Sequence, residues 1–265
     1  MNKLSLIASA LTVSAILLPA AAFAETASVS AGVTATPITT SVKVSTKPAV
    51  SLNTIIARAD AEITRRITNL NSLSARIGQM KNVSASEKTS LQTGITTQIS
   101  TLTSLKATID ADTVLATLKT DVQSITKDYR IYMLVLTQGR IAASVDRVQT
   151  LVADMQTLEP KLEARITAAQ TAGKNVTGAQ SAYTDMQAKV SDASTQASAA
   201  LSETVNLTPD QGNATVEASN TAAIKDAAAK IKTATADLKA ARADITTILK
   251  VVKGTGVTAS STTSI

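Results

Sequence analysis

Five groups of residues in this 265-residue chain have types and spacings that could do chemistry. Asp110-Ala-Asp112, with Asp121 in twelfth position, has the acid spacing of a calcium loop, in which carboxylates at alternate positions surround one cation. Val114 and Leu115, however, stand where an oxygen ligand and the turn glycine belong. Asp112 or Thr113 is therefore expected to cap the following helix instead. Asp210-Gln211-Gly212-Asn213, with Glu217 beyond, is rich in oxygen and reads as a turn. Lys225, Lys232 and Lys239 recur every seven residues, with Lys230, Arg242, Lys250 and Lys253 nearby. They are read as a solvated helix face supported by pairing of Asp226 with Lys230 at i,i+4, and as the place for any weak contact with an anionic surface. Glu62, Arg65 and Arg66 read as a surface charge cluster.

The fifth group is Tyr129-Arg-Ile-Tyr-Met-Leu-Val-Leu136, the most apolar stretch and the site of two of the three tyrosines. It is too short to span a bilayer. Its apolar phase continues that of the residues before it, so it is expected to be a helix buried on most sides; an extended segment and an exposed partner-binding patch are the alternatives. A partner site, if present, is expected at Tyr129, Ile131, Tyr132 and Met133.

The absent residue types exclude more than the present ones suggest. The chain has no His, Cys or Trp, and its single Phe is Phe23. Zinc and redox centres draw on Cys and His, thiol and triad nucleophiles need them, and single-strand nucleic-acid platforms need aromatic faces. Carboxylates, Lys and Tyr remain for catalysis, but no acid pair stands out from the charged helix faces. The expectation is a non-enzymatic protein with no metal, no cofactor and no small-molecule substrate. The balance of 26 basic to 20 acidic residues is mildly basic, and the two signs are interspersed, unlike the concentrated basic face of a nucleic-acid binder.

The elements that must position these residues are helices. Met1 to Ala24 has one positive charge at Lys3, an apolar run and the small-x-small ending Ala22-Phe23-Ala24, which predicts a cleaved secretory signal peptide and an exported chain, periplasmic, surface-bound or extracellular. Residues 25–51 are rich in Ser, Thr, Val and Ala and read as a flexible leader; residues 254–265 read as a disordered tail. Between them apolar residues recur at alternating spacings of three and four. Helix one is expected over 52–81, with Ile56, Ile63, Leu70 and Ile77 seven apart. Helix two is expected over 85–109, and helix three from Thr113 to its end at Gly139. Helix four spans 140–172, kinked or divided at Pro160. Helix five spans 178–204. Helix six spans 216–253 on a stripe of Ile224, Ile231, Leu238, Ile245 and Val252. Ser84, Thr177 and Thr208 each have Glu or Gln three places on, predicting three capping boxes, with Pro209 in the favoured first position of helix six. The Asn-x-Ser/Thr triplets at Asn82, Asn175 and Asn206 are read as helix punctuation rather than glycosylation sites.

The segments Ile109-Asp-Ala-Asp-Thr113, Leu118-Lys-Thr-Asp-Val122-Gln-Ser-Ile125-Thr-Lys and Tyr129-Arg-Ile-Tyr132 resemble exported helical, coiled-coil-like proteins of candidate-phyla bacteria, over most of 57–253. The resemblance implies export and a helical fold; it carries over no activity and no functional residue.

The fold class that follows is all-α: elongated antiparallel helical bundles with heptad, left-handed packing, one of three helices over 52–138 and an Ala-rich one of three over 139–253. The function expected is a structural, adhesive or scaffolding component of the cell envelope or surface, with a protein partner or self-association. The alternative is a periplasmic chaperone-like or partner-binding module.

Overall fold

The computed structural model describes residues 51–253, and the expected signal peptide, leader and tail lie outside them. The described residues form six helices and no strand: α1 (Leu52–Gln79), α2 (Ala85–Ala111), α3 (Leu115–Lys127), α4 (Tyr129–Thr171), α5 (Thr177–Thr204) and α6 (Ala214–Val252). The fold class is all-α, as expected, and no described helix is long and apolar enough to cross a membrane.

Each helix entry has a local cause. Ser51 accepts the amide of Thr54 at the start of α1. Ser84 and Glu87 form the expected capping box of α2, satisfying donors that the first helical turn leaves without partners. The other two boxes do not form. At α5 it is Asn175 Oδ1 that accepts the Thr177 amide, while Gln180 reaches Gln170. Thr208 and Pro209 lie before α6, which opens later with Asn213 accepting the amides of Thr215 and Val216. The delay is set by a turn through Gln211 and Gly212, with φ of 49° and 84°, closed by Asp210 Oδ1 on the Gly212 amide at 2.8 Å. This is the turn expected over 210–213.

The largest correction is where the third helix ends. α3 stops at Lys127, a single turn residue, Asp128, follows, and α4 then runs for 43 residues straight through Gly139 and Pro160. Neither Asp112 nor Thr113 caps α3, whose N-cap is Val114, without a side-chain bond. Gly139 is not a terminator because its missing side chain serves packing: a Cβ there would lie 2.6 Å from Leu73 Cδ1.

Inter-helix bonds give the directions. α1 and α2 are antiparallel, joined by Asp60–Lys106 at 2.9 Å. α1 runs parallel to the first half of α4, since Asn69 meets the Tyr132 hydroxyl and, further along both, Asn82 meets Asp146 and Thr150. α4 and α5 are antiparallel, since Gln149 meets Ser194 and Glu159, further along α4, meets Gln187, earlier on α5. α5 and α6 are antiparallel through Lys189–Asp244 and Lys230–Glu203. α1, α2 and α3 pack on α4 and not on α5 or α6. One helix is thus shared by both groups, and its burial pattern reflects this. Between Tyr132 and Val145 it buries eight residues on several sides, and beyond Val152 only Leu162, Ile166 and Ala169.

The α5–α6 pair, the most extensive helix–helix contact described, corrects the expected stripe of α6. Ala227, Ala234, Ala241 and Ile248 are fully buried; of the expected stripe Leu238 and Val252 are buried as well, whereas Ile224, Ile231 and Ile245 are only partly buried. On α5 the facing residues are also small, with Ala179, Ala193, Ala197 and Ala200 fully buried. Methyl side chains allow a close approach of the two backbones, with Met186 of α5 and Ile248 of α6 as large residues that are also fully buried.

Candidate functional site

The expected partner patch is divided among three internal sites. Tyr129 and Tyr132 sit against Arg66, whose guanidinium carbon lies 5.2 and 5.3 Å from their ring centroids. Ile131 lines a groove against α2, and Met133 a smaller hollow against Thr221 and Ile224 of α6. The segment is helical, as the periodicity implied, with Tyr132, Leu134 and Val135 buried, Arg130 exposed and the rest partly buried, and its four named residues do not form one exposed patch.

Arg66 was read as part of a surface cluster, but only Arg65 and Glu62 fit that reading: Arg66 is 5% exposed. Its Nε donates to Glu62 at 2.8 Å and its Nη1 to the Ile125 carbonyl at 2.8 Å, in the last turn of α3. A buried guanidinium is tolerated where charge, donors and ring faces are all matched. Here it braces the break between α3 and α4. Hydrogen bonds from Arg65, then from Arg66, hold the Glu62 carboxyl below its ordinary range despite some burial.

The acids at 110–121 do not form a ligand set. Asp110 is spent on Lys106. Burial pushes the Asp112 carboxyl above its usual range, and the negative charge of Asp121 adds to the rise. No group of three potential metal ligands occurs among the described residues. On α6, Lys225, Lys232 and Lys239 are exposed, while Lys230 pairs with Asp226, as expected, and also with Glu203.

The feature best suited to hold something is the groove of about 450 Å³ between α2, the start of α4 and the α5–α6 linker. That volume is in the range of small-molecule and side-chain pockets. Ile131, Leu134 and Val135 from α4 and Val205, Leu207 and Pro209 from the linker make its apolar walls; Thr89, Thr93, Gly94, Thr97 and Gln98 make the α2 side. None of the lining residues is ionisable. The linker wall is held by Gln138, itself buried, whose Nε2 donates to the carbonyls of Thr204 at 2.8 Å and Leu207 at 3.0 Å. Asn220 fixes the next carbonyl, that of Thr208, at 2.8 Å. Gln98, 2% exposed, is among the lining residues, and its Nε2 is buried with no hydrogen-bond partner among the described residues.

Sequence reasoning missed Gln98, Gln138 and Gly94, although a signal existed for the first. Leu91, Ile95, Gln98, Leu102, Leu105 and Ile109 follow the alternating four-three spacing of the buried stripe, so Gln98 is a polar residue standing in an apolar position. No family model, curated protein or solved structure matches the chain.

Proposed function

We propose that the chain is a non-enzymatic helical protein, exported and acting as a structural, adhesive or scaffolding component of the cell envelope or surface. The observation that carries this reading is the continuous 43-residue α4, about 65 Å long at 1.5 Å per residue, onto which α1–α3 and α5–α6 both pack. A single helix common to both groups transmits load and fixes spacing. Charged groups support the same reading, because Asp60–Lys106, Lys189–Asp244 and Lys230–Glu203 are spent on joining helices. The packing within each group is proposed to be coiled-coil-like: Ala227, Ala234, Ala241 and Ile248 are fully buried at seven-residue spacing, as are Ile63, Leu70 and Ile77. The exposed lysines of α6 offer weak attraction to an anionic surface.

Cell fractionation with mass spectrometry of the intact protein tests this. Sedimentation with the envelope and a mature chain beginning at Glu25 are expected. Recovery from the cytoplasm with residues 1–24 retained would overturn it.

A second reading, a chaperone-like or partner-binding module, is favoured by the groove, none of whose lining residues is ionisable. It predicts soluble protein outside the cytoplasm that suppresses aggregation of other exported chains.

A further inference from the structure

We propose that the outward face of α6 is a docking surface for an anionic lipid bilayer, held by charge at the headgroups and without insertion. This rests on the weak anionic contact proposed above for the α6 lysines and names its partner.

Three observations carry it. First, Lys225, Lys232, Lys239 and Lys250 are all exposed. At 3.6 residues per turn they lie within about 40° of one line along the helix, opposite the buried Ala227, Ala234 and Ala241. Arg242 and Lys253, also exposed, widen this row toward α4, on the flank where Thr221 and Ile224 share a hollow with Met133. The row is about 40 Å long at 1.5 Å per residue. Second, the acids of α6 are spent or turned elsewhere. Glu217 is paired with Arg130 of α4. Asp226, Asp237 and Asp244 lie along the opposite flank, toward α5, where Asp226 meets Lys230 and Asp244 meets Lys189. The ion pairs of α6 therefore leave all six outward bases without a counter-charge among the described residues. Signs that alternate along the sequence are sorted by the helix into a face of one sign.

Third, the side chains between the bases are small. Ala229, Ala236, Ala243 and Thr246 are exposed there, and the large apolar side chain that α6 exposes is Leu249. A protein interface needs apolar, aromatic or arginine anchors at its centre and is depleted in lysine, so this face suits a protein partner poorly. A bilayer needs no such anchor. Each Lys or Arg near an anionic leaflet is attracted separately, and long side-chain stems reach headgroups from a helix lying along the surface. The six bases occupy about a quarter of the helix circumference, which a planar surface meets together and a single linear polyanion does not. With so little apolar bulk to insert, the attachment is electrostatic and is screened by salt.

The test is co-sedimentation of the chain from Glu25 onward with vesicles of equimolar phosphatidylglycerol and phosphatidylcholine, or of phosphatidylcholine alone. Omitting residues 1–24 keeps their apolar run from binding lipid itself. The wild type is expected to sediment with the anionic vesicles only. It should be released as ionic strength rises from about 0.1 M to about 1 M, where the Debye length falls from about 10 Å to about 3 Å. Replacing Lys225, Lys232 and Lys239 together by Gln is expected to weaken binding at least about tenfold. Replacing Lys81, Lys119 and Lys127 by Gln removes the same charge from exposed positions outside α6 and should change binding by less than about twofold. Circular dichroism melts confirm that both triple variants fold. Absence of binding to anionic vesicles, equal binding to neutral ones, resistance to salt, or equal loss in the two triple variants would overturn the proposal. Binding of soluble poly-L-glutamate through the α6 lysines without binding of anionic vesicles would also overturn it, and would assign the face to a linear polyanion. Any of these failures, with the protein still sedimenting with the cell envelope, would leave the scaffold reading standing on other contacts.

Discussion

Leu73 of α1 fills the space where Gly139 of α4 has no side chain: a Cβ at 139 would lie 2.6 to 2.9 Å from three of its atoms. Leu73 is 8% exposed, and both residues are enclosed. Gly139→Ala is therefore expected to be destabilising by about 1–3 kcal/mol from overpacking, although alanine is favoured over glycine by nearly 1 kcal/mol in a helix. Gly94→Ala has the opposite sign, because no neighbour lies within 4 Å of its new Cβ, and should stabilise by about 0.5–1 kcal/mol. Urea melts of the two variants check the contrast. Stabilisation by both would show that the approach of α1 to α4 is looser than described, and destabilisation by both that the surroundings of Gly94 are tighter.

The α5–α6 seam gives a second test. Ala234 is fully buried, whereas Ile231 is only partly so. Ala234→Leu is expected to be destabilising by about 1–3 kcal/mol, because the backbones must separate. Lys232→Ala, on the exposed face, should change stability by under about 0.5 kcal/mol. Leu238, 4% exposed, marks the edge of the same seam, and Leu238→Asp would bury an unpaired charge and cost several kcal/mol. If Lys232→Ala proved as damaging as Leu238→Asp, the basic face would be the one in contact with something.

Arg66 should not be replaceable by lysine. The guanidinium meets Glu62, the Ile125 carbonyl and two tyrosine rings at once, and a lysine ammonium cannot reproduce that planar fork. Arg66→Lys is expected to be destabilising by about 1–3 kcal/mol through the carbonyl left without its donor. Arg65→Lys, at an exposed position, should be nearly silent. Because the Glu62 carboxyl is held below its usual range, its contribution is present above the unfolded carboxylate pKa and is lost as pH falls through the lower folded value. Thermal melts from pH 7 to pH 2 should show the gap between wild type and Glu62→Gln narrowing at the acid end.

Asp112 behaves in the opposite sense. Its carboxyl is raised by burial and by Asp121, so folding favours its protonated form. The ionised group opposes folding above its folded pKa, and that opposition disappears as pH falls through it. Asp112→Asn is expected to raise Tm at neutral pH and to match the wild type once both acids are protonated. Calcium is expected to leave Tm unchanged. A calcium-dependent rise that Asp112→Asn removes would show that the two carboxylates take a cation after all.

Much of this molecule is legible in one dimension. The seven-residue spacing of Ile56, Ile63, Leu70 and Ile77, or the spacing of four and seven from Leu91 to Ile95 to Leu102, specifies helices and their buried faces, because a helix returns to nearly the same angle every seven residues wherever it lies. Ser84 and Glu87 announce a helix start because capping is a contact across three residues. The absence of His and Cys removed whole classes of metal and thiol chemistry from consideration without any coordinates. What needed the tertiary structure was the meaning of residues that break the pattern. Arg66, Gln98 and Gln138 are polar residues in buried positions, and Gly139 is a glycine within a helix. Periodicity can mark such residues as exceptions but cannot say what they meet. Arg66, Gln138 and Gly139 meet Ile125, Thr204 and Leu73, each more than fifty residues away in sequence. Whether a glycine ends a helix or admits a leucine, and whether a glutamine is spent on a carbonyl or left without a partner, depends on which helix arrives beside it. That is decided by the joint packing of all six helices, which no local pattern encodes.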